Sequence, residues 1–253
     1  MSKKLCLVLS VILTATMLLA ACAPAATPTA APAAPVQPTT APAATAAALP
    51  NGSAIQVGLV TDTGGVNDQS FNQLAWEGVQ KAATDMGFQA KFLESRQPSD
   101  YETNIDALAT EGYNVIITVG SLMGDATALK AKQYPNLKFA IVDNAYAPTQ
   151  GSQYCDDTVK DCYSDGGLTN VTSLMFAEDQ VGFLAGVLAA GMSKSGFVCS
   201  VSSMRIPQSE RYVISFRGGA VWQAGPEIKT MNNYSPSFTD PAQGKETALS
   251  LIG

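Results

Sequence analysis

The stretch from Thr61 to Asn72 concentrates groups that can do chemistry: carboxylates at Asp62 and Asp68, amides at Asn67 and Asn72, and an aromatic face at Phe71. Two later points add to it. Ser121 follows the apolar run Asn114–Val119 and Gly120, and Asp143-Asn144 follow the apolar run Leu137–Val142. A carboxylate accepts hydrogen bonds from hydroxyls and ring N–H groups, and it repels phosphate. A flat aromatic side chain offers a stacking surface. Acceptors, donors and one ring in a single crevice suit a neutral, hydroxyl-bearing ligand with a flat ring. The competing reading is local: Asp62 and Asp68 merely cap a turn.

Composition removes other chemistries. The chain has 253 residues and no His. That excludes a Ser-His-Asp or Cys-His triad, a His general base and a His-containing metal site. Fifteen basic against 21 acidic residues give a net charge of −6. Nucleic acid is not an expected partner, because gripping phosphates needs a basic stripe. The hydrophobic fraction of 46% is enough for a buried core.

The elements that must position these groups follow from the apolar runs. Ile55–Thr61, Gln89–Glu94, Asn114–Val119 and Leu137–Val142 read as strands, the first ending at the turn signal Asp62-Thr-Gly-Gly. Helices are expected between them. Ser70 with Gln73, and Ser99 with Glu102, have the spacing of capping boxes. Leu74, Val79, Ala82, Ala83 and Met86 would form the inner stripe of the first helix. Strands and helices alternate, and the strand runs are apolar throughout. That predicts α/β architecture with a parallel sheet covered on both faces. Ligands collect at the carboxyl ends of such strands, where the polar groups above are placed. After residue 144 the rhythm breaks, with an extended segment at Val171–Phe176. A long helix is expected from Ala177 to Ser193, with Val181, Leu184, Ala185, Leu188 and Ala189 at helical spacing, then a strand at Gly196–Val201. A helix follows over Pro207–Ala224, a strand near Glu227–Met231, and a last helix with Asp240 as N-cap and Pro241 at its first position. The expected organisation is an N-terminal lobe at 54–144, a hinge or insert at 145–176 and a partial C-terminal lobe at 177–253. Two strands are too few to cover the helices of the second lobe, which therefore reads as completed by another chain or, the favoured reading, as truncated.

The amino terminus carries an address. Lys3 and Lys4 precede the apolar run Leu5–Ala21, which ends in Leu19-Ala-Ala-Cys22. This predicts a signal peptide over 1–21 and resembles a bacterial lipobox, with Cys22 as the lipidated residue. Residues 22–53 are almost wholly Ala, Pro and Thr, uncharged and unable to bury a face, so they read as a tether. In an exported protein, Cys155 and Cys162 are expected to form a disulfide, closing a short loop for about 2–3 kcal/mol. A metal clip with Asp156, Asp157 or Asp161 is the alternative. Cys199, in a strand, is expected to be a buried free thiol.

The stretch Val57–Gly78, with Asp-Gln-Ser-Phe-Asn at 68–72, resembles the opening of the basic membrane protein (BMP) family, the PnrA-like lipoprotein binding proteins of ABC importers. Ile117–Gly120, Phe139–Asp143, Val171–Glu178 and Gly182–Ala189 carry the resemblance onward, so that it covers Ile55 to Gly253. It implies the type I periplasmic-binding fold, two doubly wound lobes closing on a ligand about a hinge. It implies capture of a nucleoside, of the purine class first, with Phe71 stacking on the base and Asp68 and Asn72 beside it. It further implies Asp143 at the cleft and Phe216, in Ser215-Phe-Arg-Gly-Gly, as a second stacking aromatic. The expected partners are a permease and an ATPase, with the protein lipid-anchored on the outer face of a bacterial membrane. No cofactor and no catalysis are expected. The alternatives are a sensor of the same fold or a binder of another small polar ligand such as a sugar. Family members continue past this point, and their later cleft Asp, Lys region and closing strands have no counterpart within these 253 residues.

Overall fold

The structure, a computed structural model, describes residues 51–146 and 161–252. The signal peptide, Cys22, most of the tether and Cys155 lie outside the described residues.

Four strands alternating with three helices build the first half. They are β1 (Gln56–Val60), α1 (Phe71–Met86), β2 (Gln89–Leu93), α2 (Asp100–Thr110), β3 (Val115–Val119), α3 (Gly124–Gln133) and β4 (Lys138–Val142). A one-turn 3-10 helix, Ser121–Met123, precedes α3. Successive side chains of a strand point to opposite faces, so an uninterrupted apolar strand needs cover on both. Val57 and Leu59 join Val119 and Val142 under α1, packed with Trp76 and Val79. Val60, Ile116, Phe139 and Ile141 point the other way, into a cluster with Ile105 and Leu108 of α2 and Ala128 and Ala131 of α3.

The sheet is larger than the alternation predicted. Val171–Leu174 is its fifth strand, β5, paired in parallel with β4 from Phe139↔Val171 to Val142↔Leu174. The order is β2-β1-β3-β4-β5, and every pairing is parallel. The segment expected within a hinge region therefore belongs partly to the first lobe. Its entry is fixed by buried Asn170, whose amide reaches the carbonyls of Ala131, Tyr134 and Leu137 at 3.0–3.1 Å. Cys162 is buried and disulfide-bonded.

The second half is α4 (Glu178–Met192), β6 (Phe197–Ser202), α5 (Pro207–Ala224), β7 (Lys229–Tyr234) and α6 (Pro241–Ile252), with β6 and β7 paired in parallel. Asp240 caps α6 as expected, accepting the N–H groups of Ala242 and Gln243 at 2.9 and 3.1 Å. The face of α4 that packs is not the leucine stripe. Leu184 and Leu188 stay exposed, while Glu178, Gly182, Gly186 and Ala190 are buried. A Cβ on Gly182, Gly186 or Gly219 would strike Ser215, Phe216 or Phe183 across the pair, the last two at the carbonyl oxygen. Small residues let α4 and α5 meet backbone to backbone, and that contact decides which side is buried. Leu74 of α1 is likewise 64% exposed instead of lying on the inner stripe. Cys199 is a free thiol, half-buried rather than fully buried. Among the described residues, no helix is long and apolar enough to cross a membrane.

Candidate ligand-binding site

The loop after β1 forms one wall. Asp62 accepts the N–H of Gly64 at 3.0 Å and the amide of Asn72 at 2.7 Å. Asp68 accepts the backbone N–H groups of Ser70, Asn72 and Gln73 at 2.9, 3.0 and 3.1 Å, and the Asn72 amide at 3.1 Å. Asp68 is therefore the cap of α1, and Ser70 makes no side-chain cap. The expected capping box is displaced because a carboxylate two residues upstream reaches the same donors with a full charge. The box at Ser99 also fails to form. There Asp100 turns back onto the N–H groups of Arg96 and Gln97. Burial pushes the Asp68 carboxyl up, but the N–H donors of Asn72, Gln73 and Ser70 outweigh it and hold it below the ordinary value. Asn72, 2% exposed, joins the two carboxylates. Gly120, at φ 98°, leaves room for Asp62, whose Oδ2 would lie 2.8 Å from any Cβ there.

The end of β4 forms the second wall. Asp143 has φ 66° and is only 9% exposed. The Gln208 amide donates to its backbone carbonyl. Its Oδ1 is buried without a partner. Glu178, the first residue of α4, lies beside it and binds Arg211 of α5 at 3.0 and 3.3 Å. Burial raises Asp143, the Glu178 charge and hydrogen bond raise it further, and Arg211 opposes both, leaving it at about 7. Burial raises Glu178 as well, but its hydrogen bonds to Arg211 outweigh this and lower it.

Two adjoining cavities lie between these walls and share Phe71, Asp143, Ser203 and Phe238. One, of about 250 Å³, is lined by Asp62, Asp68, Asn72 and Ser121. The other, of about 310 Å³, is lined by Ser200, Ser202, Gln208, Tyr212 and Phe216. Phe71 is 43% exposed and stands edge-on to Phe176 at 5.8 Å. A third, apolar cavity of about 680 Å³ lies behind Phe71 against Leu74, Leu174, Val181 and Leu184.

Seven of the eight expected ligand residues, Asp62, Asp68, Phe71, Asn72, Ser121, Asp143 and Phe216, line one or both of the first two cavities. Asn67 does not. It sits exposed in the turn, while Asp62 and Asp68 on either side point inward to Asn72. Sequence reasoning missed Phe238, Ser203 and the Glu178–Arg211 pair. Phe238 and Ser203 follow the ends of β7 and β6, so the rule that placed Asp143 at a strand end could have found them. The pairing of Glu178 with Arg211, 33 positions apart, left no local signal.

The family of PnrA-like ABC transporter substrate-binding proteins (Bmp) matches residues 55–253. The chain belongs to this family. A nucleoside-binding protein of an ABC transporter, BmpA of Lactococcus lactis, is 32% identical over 79% of the chain and 52% of its own length. The CD4+ T-cell-stimulating antigen of Listeria monocytogenes is 33% identical over 77% of the chain and 50% of its own length. The chain thus spans about half the length of these relatives. Among solved structures, an ABC transporter solute-binding protein of Aeropyrum pernix superposes with a TM-score of 0.63 at 29% identity, over 78% of the chain and 52% of that protein. A LacI-type transcriptional regulator from Rhodococcus, at 15% identity and a TM-score of 0.56, shares the fold. The architecture is the type I periplasmic-binding fold.

Proposed function

We propose that this chain captures nucleosides, purine nucleosides first, as the lipid-anchored binding component of an ABC importer. The observation that carries this reading is the pair Phe71 and Phe216 on one cavity, with Phe71 and Asp143 shared by a second cavity walled by carboxylates. A base fits between aromatic faces, and ribose hydroxyls find acceptors at Asp62, Asp68 and Asp143. The carboxylates disfavour a phosphorylated ligand. The nucleoside-binding relative in Lactococcus supports the ligand class. The lipobox at Cys22 and the named lipoproteins among the Pyrococcus relatives support the anchor. A family of binding proteins supports delivery to a permease rather than turnover of the ligand.

The test is thermal denaturation of the protein with guanosine, adenosine and inosine, with guanosine monophosphate, ribose and glucose as comparison ligands. A rise in Tm with nucleosides and none with the monophosphate is expected. Millimolar nucleosides that leave Tm unmoved while a sugar raises it would replace this reading with that of a sugar binder.

A further inference from the structure

Asp143 lines both of the adjoining cavities, and its buried side chain meets that of Glu178, which is buried behind it and paired with Arg211. An unpaired buried carboxylate is costly, yet Asp143 faces a second acid with one oxygen buried and unpartnered. Its backbone sits in the left-handed region, where a non-glycine residue is strained, and Gln208 holds it there by the carbonyl. Such over-determined geometry belongs to a group whose position matters. Asp143 directly follows β4, Glu178 opens α4 four residues after β5 ends, and the two side chains are in hydrogen-bonding contact, so the pair ties the end of β4 to the start of α4.

We propose that Glu178 and Arg211 are positioning residues of this site: the Asp143 and Glu178 carboxyls hold one proton between them, Arg211 keeps Glu178 the anion of the pair, and ligand capture requires that proton. The ligand part rests on the nucleoside reading above. With the proton in place, the cluster is one carboxylate against one guanidinium, and the end of β4 is hydrogen-bonded to the start of α4. Without it, two buried carboxylates repel and Asp143 leaves the cavity wall. The charged and titratable groups facing Asp143 are Glu178 and, through Arg211, Asp179 from α4, and Arg211 and Tyr212 from α5. Asp62 and Asp68 share its cavity from the opposite wall, but their charges are taken up by N–H donors.

The sign follows from the direction of the shift. Asp143 is raised, so its proton is present below pH of about 7 and is lost above it. Guanosine affinity measured by calorimetry should therefore fall roughly tenfold between about pH 6 and about pH 8. Glu178→Gln removes the neighbouring charge and leaves Arg211 facing Asp143, so the profile should move to lower pH by roughly one unit or more. Asp143→Asn has no proton to lose, and its profile should be flat whatever its absolute affinity. Carboxyl ¹³C NMR of the unliganded protein provides a reading independent of any ligand. It should show one acid releasing its proton near neutrality in the parent chain and at lower pH in Glu178→Gln. Guanosine binding that is equally tight across this range overturns the shared proton and leaves the nucleoside reading intact. If guanosine fails to bind at any pH, the nucleoside reading falls. The NMR titration then decides alone, and carboxyls that all titrate below about pH 5 overturn the pair.

Discussion

Asp68 and Asp143 stand on the same cavity, one on the wall after β1 and the other on the wall after β4, and they are held in opposite ways. Asp68 meets donors: three backbone N–H groups at the start of α1 and the Asn72 amide. Asp143 meets an acceptor, Glu178, with Arg211 already engaged by that acceptor. Donors favour the charged form of a carboxyl, and burial beside a like charge favours the neutral one. The donors that meet the two carboxylates of the first wall all come from one loop and the start of one helix. The second depends on side chains from three elements, and so on how closely α4 and α5 approach each other. The difference shows that residue type alone does not set what a binding wall presents to its ligand.

The largest effect should come from breaking the packing behind the second wall. Gly186→Leu places a side chain against the Phe216 carbonyl, where even a Cβ has no room. Overpacking of this kind costs about 3 kcal/mol or more. The midpoint of chemical denaturation should drop accordingly, and proteolysis should cut first between β5 and α6. The atoms that a Cβ at Gly186 meets belong to α5 and not to the first wall, so a fragment around the five-stranded sheet should outlast the cut.

The opposite break is Asn72→Leu. It removes the amide that joins Asp62 to Asp68 and leaves both carboxylates short of a donor in a part-buried loop. A loss of about 2–3 kcal/mol is expected, read by denaturation at neutral pH. Asp62 then has only the Gly64 N–H, so the acceptor side of the cavity should lose its fixed geometry along with stability.

The same contrast separates what could be read from the sequence. Strands such as Val115–Val119 were legible because a parallel sheet buried on both faces demands unbroken apolar runs. The first wall was legible because its groups are neighbours in sequence: Asp62, Asp68, Phe71 and Asn72 lie within one turn and the first turn of α1. The helix α4 was legible but its packed face was not, because two stripes repeat at helical spacing, leucines on one side and Gly182, Gly186 and Ala190 on the other. Which side packs depends on the small residues Ser215, Gly219 and Ala220 of α5, which a local pattern does not contain. On the far side, Phe216 was legible only through the family resemblance, and Asp143 because it directly follows a strand. Its partners sit on separate helices, and nothing around residue 178 marks Arg211 as its neighbour.

The smallest predicted effect tests the finest feature of the first wall. Ser70 occupies the N-cap position and has the spacing of a capping box with Gln73, yet the donors of the first turn go to Asp68. Asp68→Ala should therefore cost about 1–2 kcal/mol, the usual loss for an N-cap. Ser70→Ala should change stability by less than about 0.5 kcal/mol, as at an exposed site without partners. Thermal denaturation of the two variants beside the parent resolves the order. If Ser70→Ala were the costlier change, the cap would rest on the serine hydroxyl. Asp68 would then be free to ionise like an exposed carboxylate, and the contrast with Asp143 would shrink to a difference in burial.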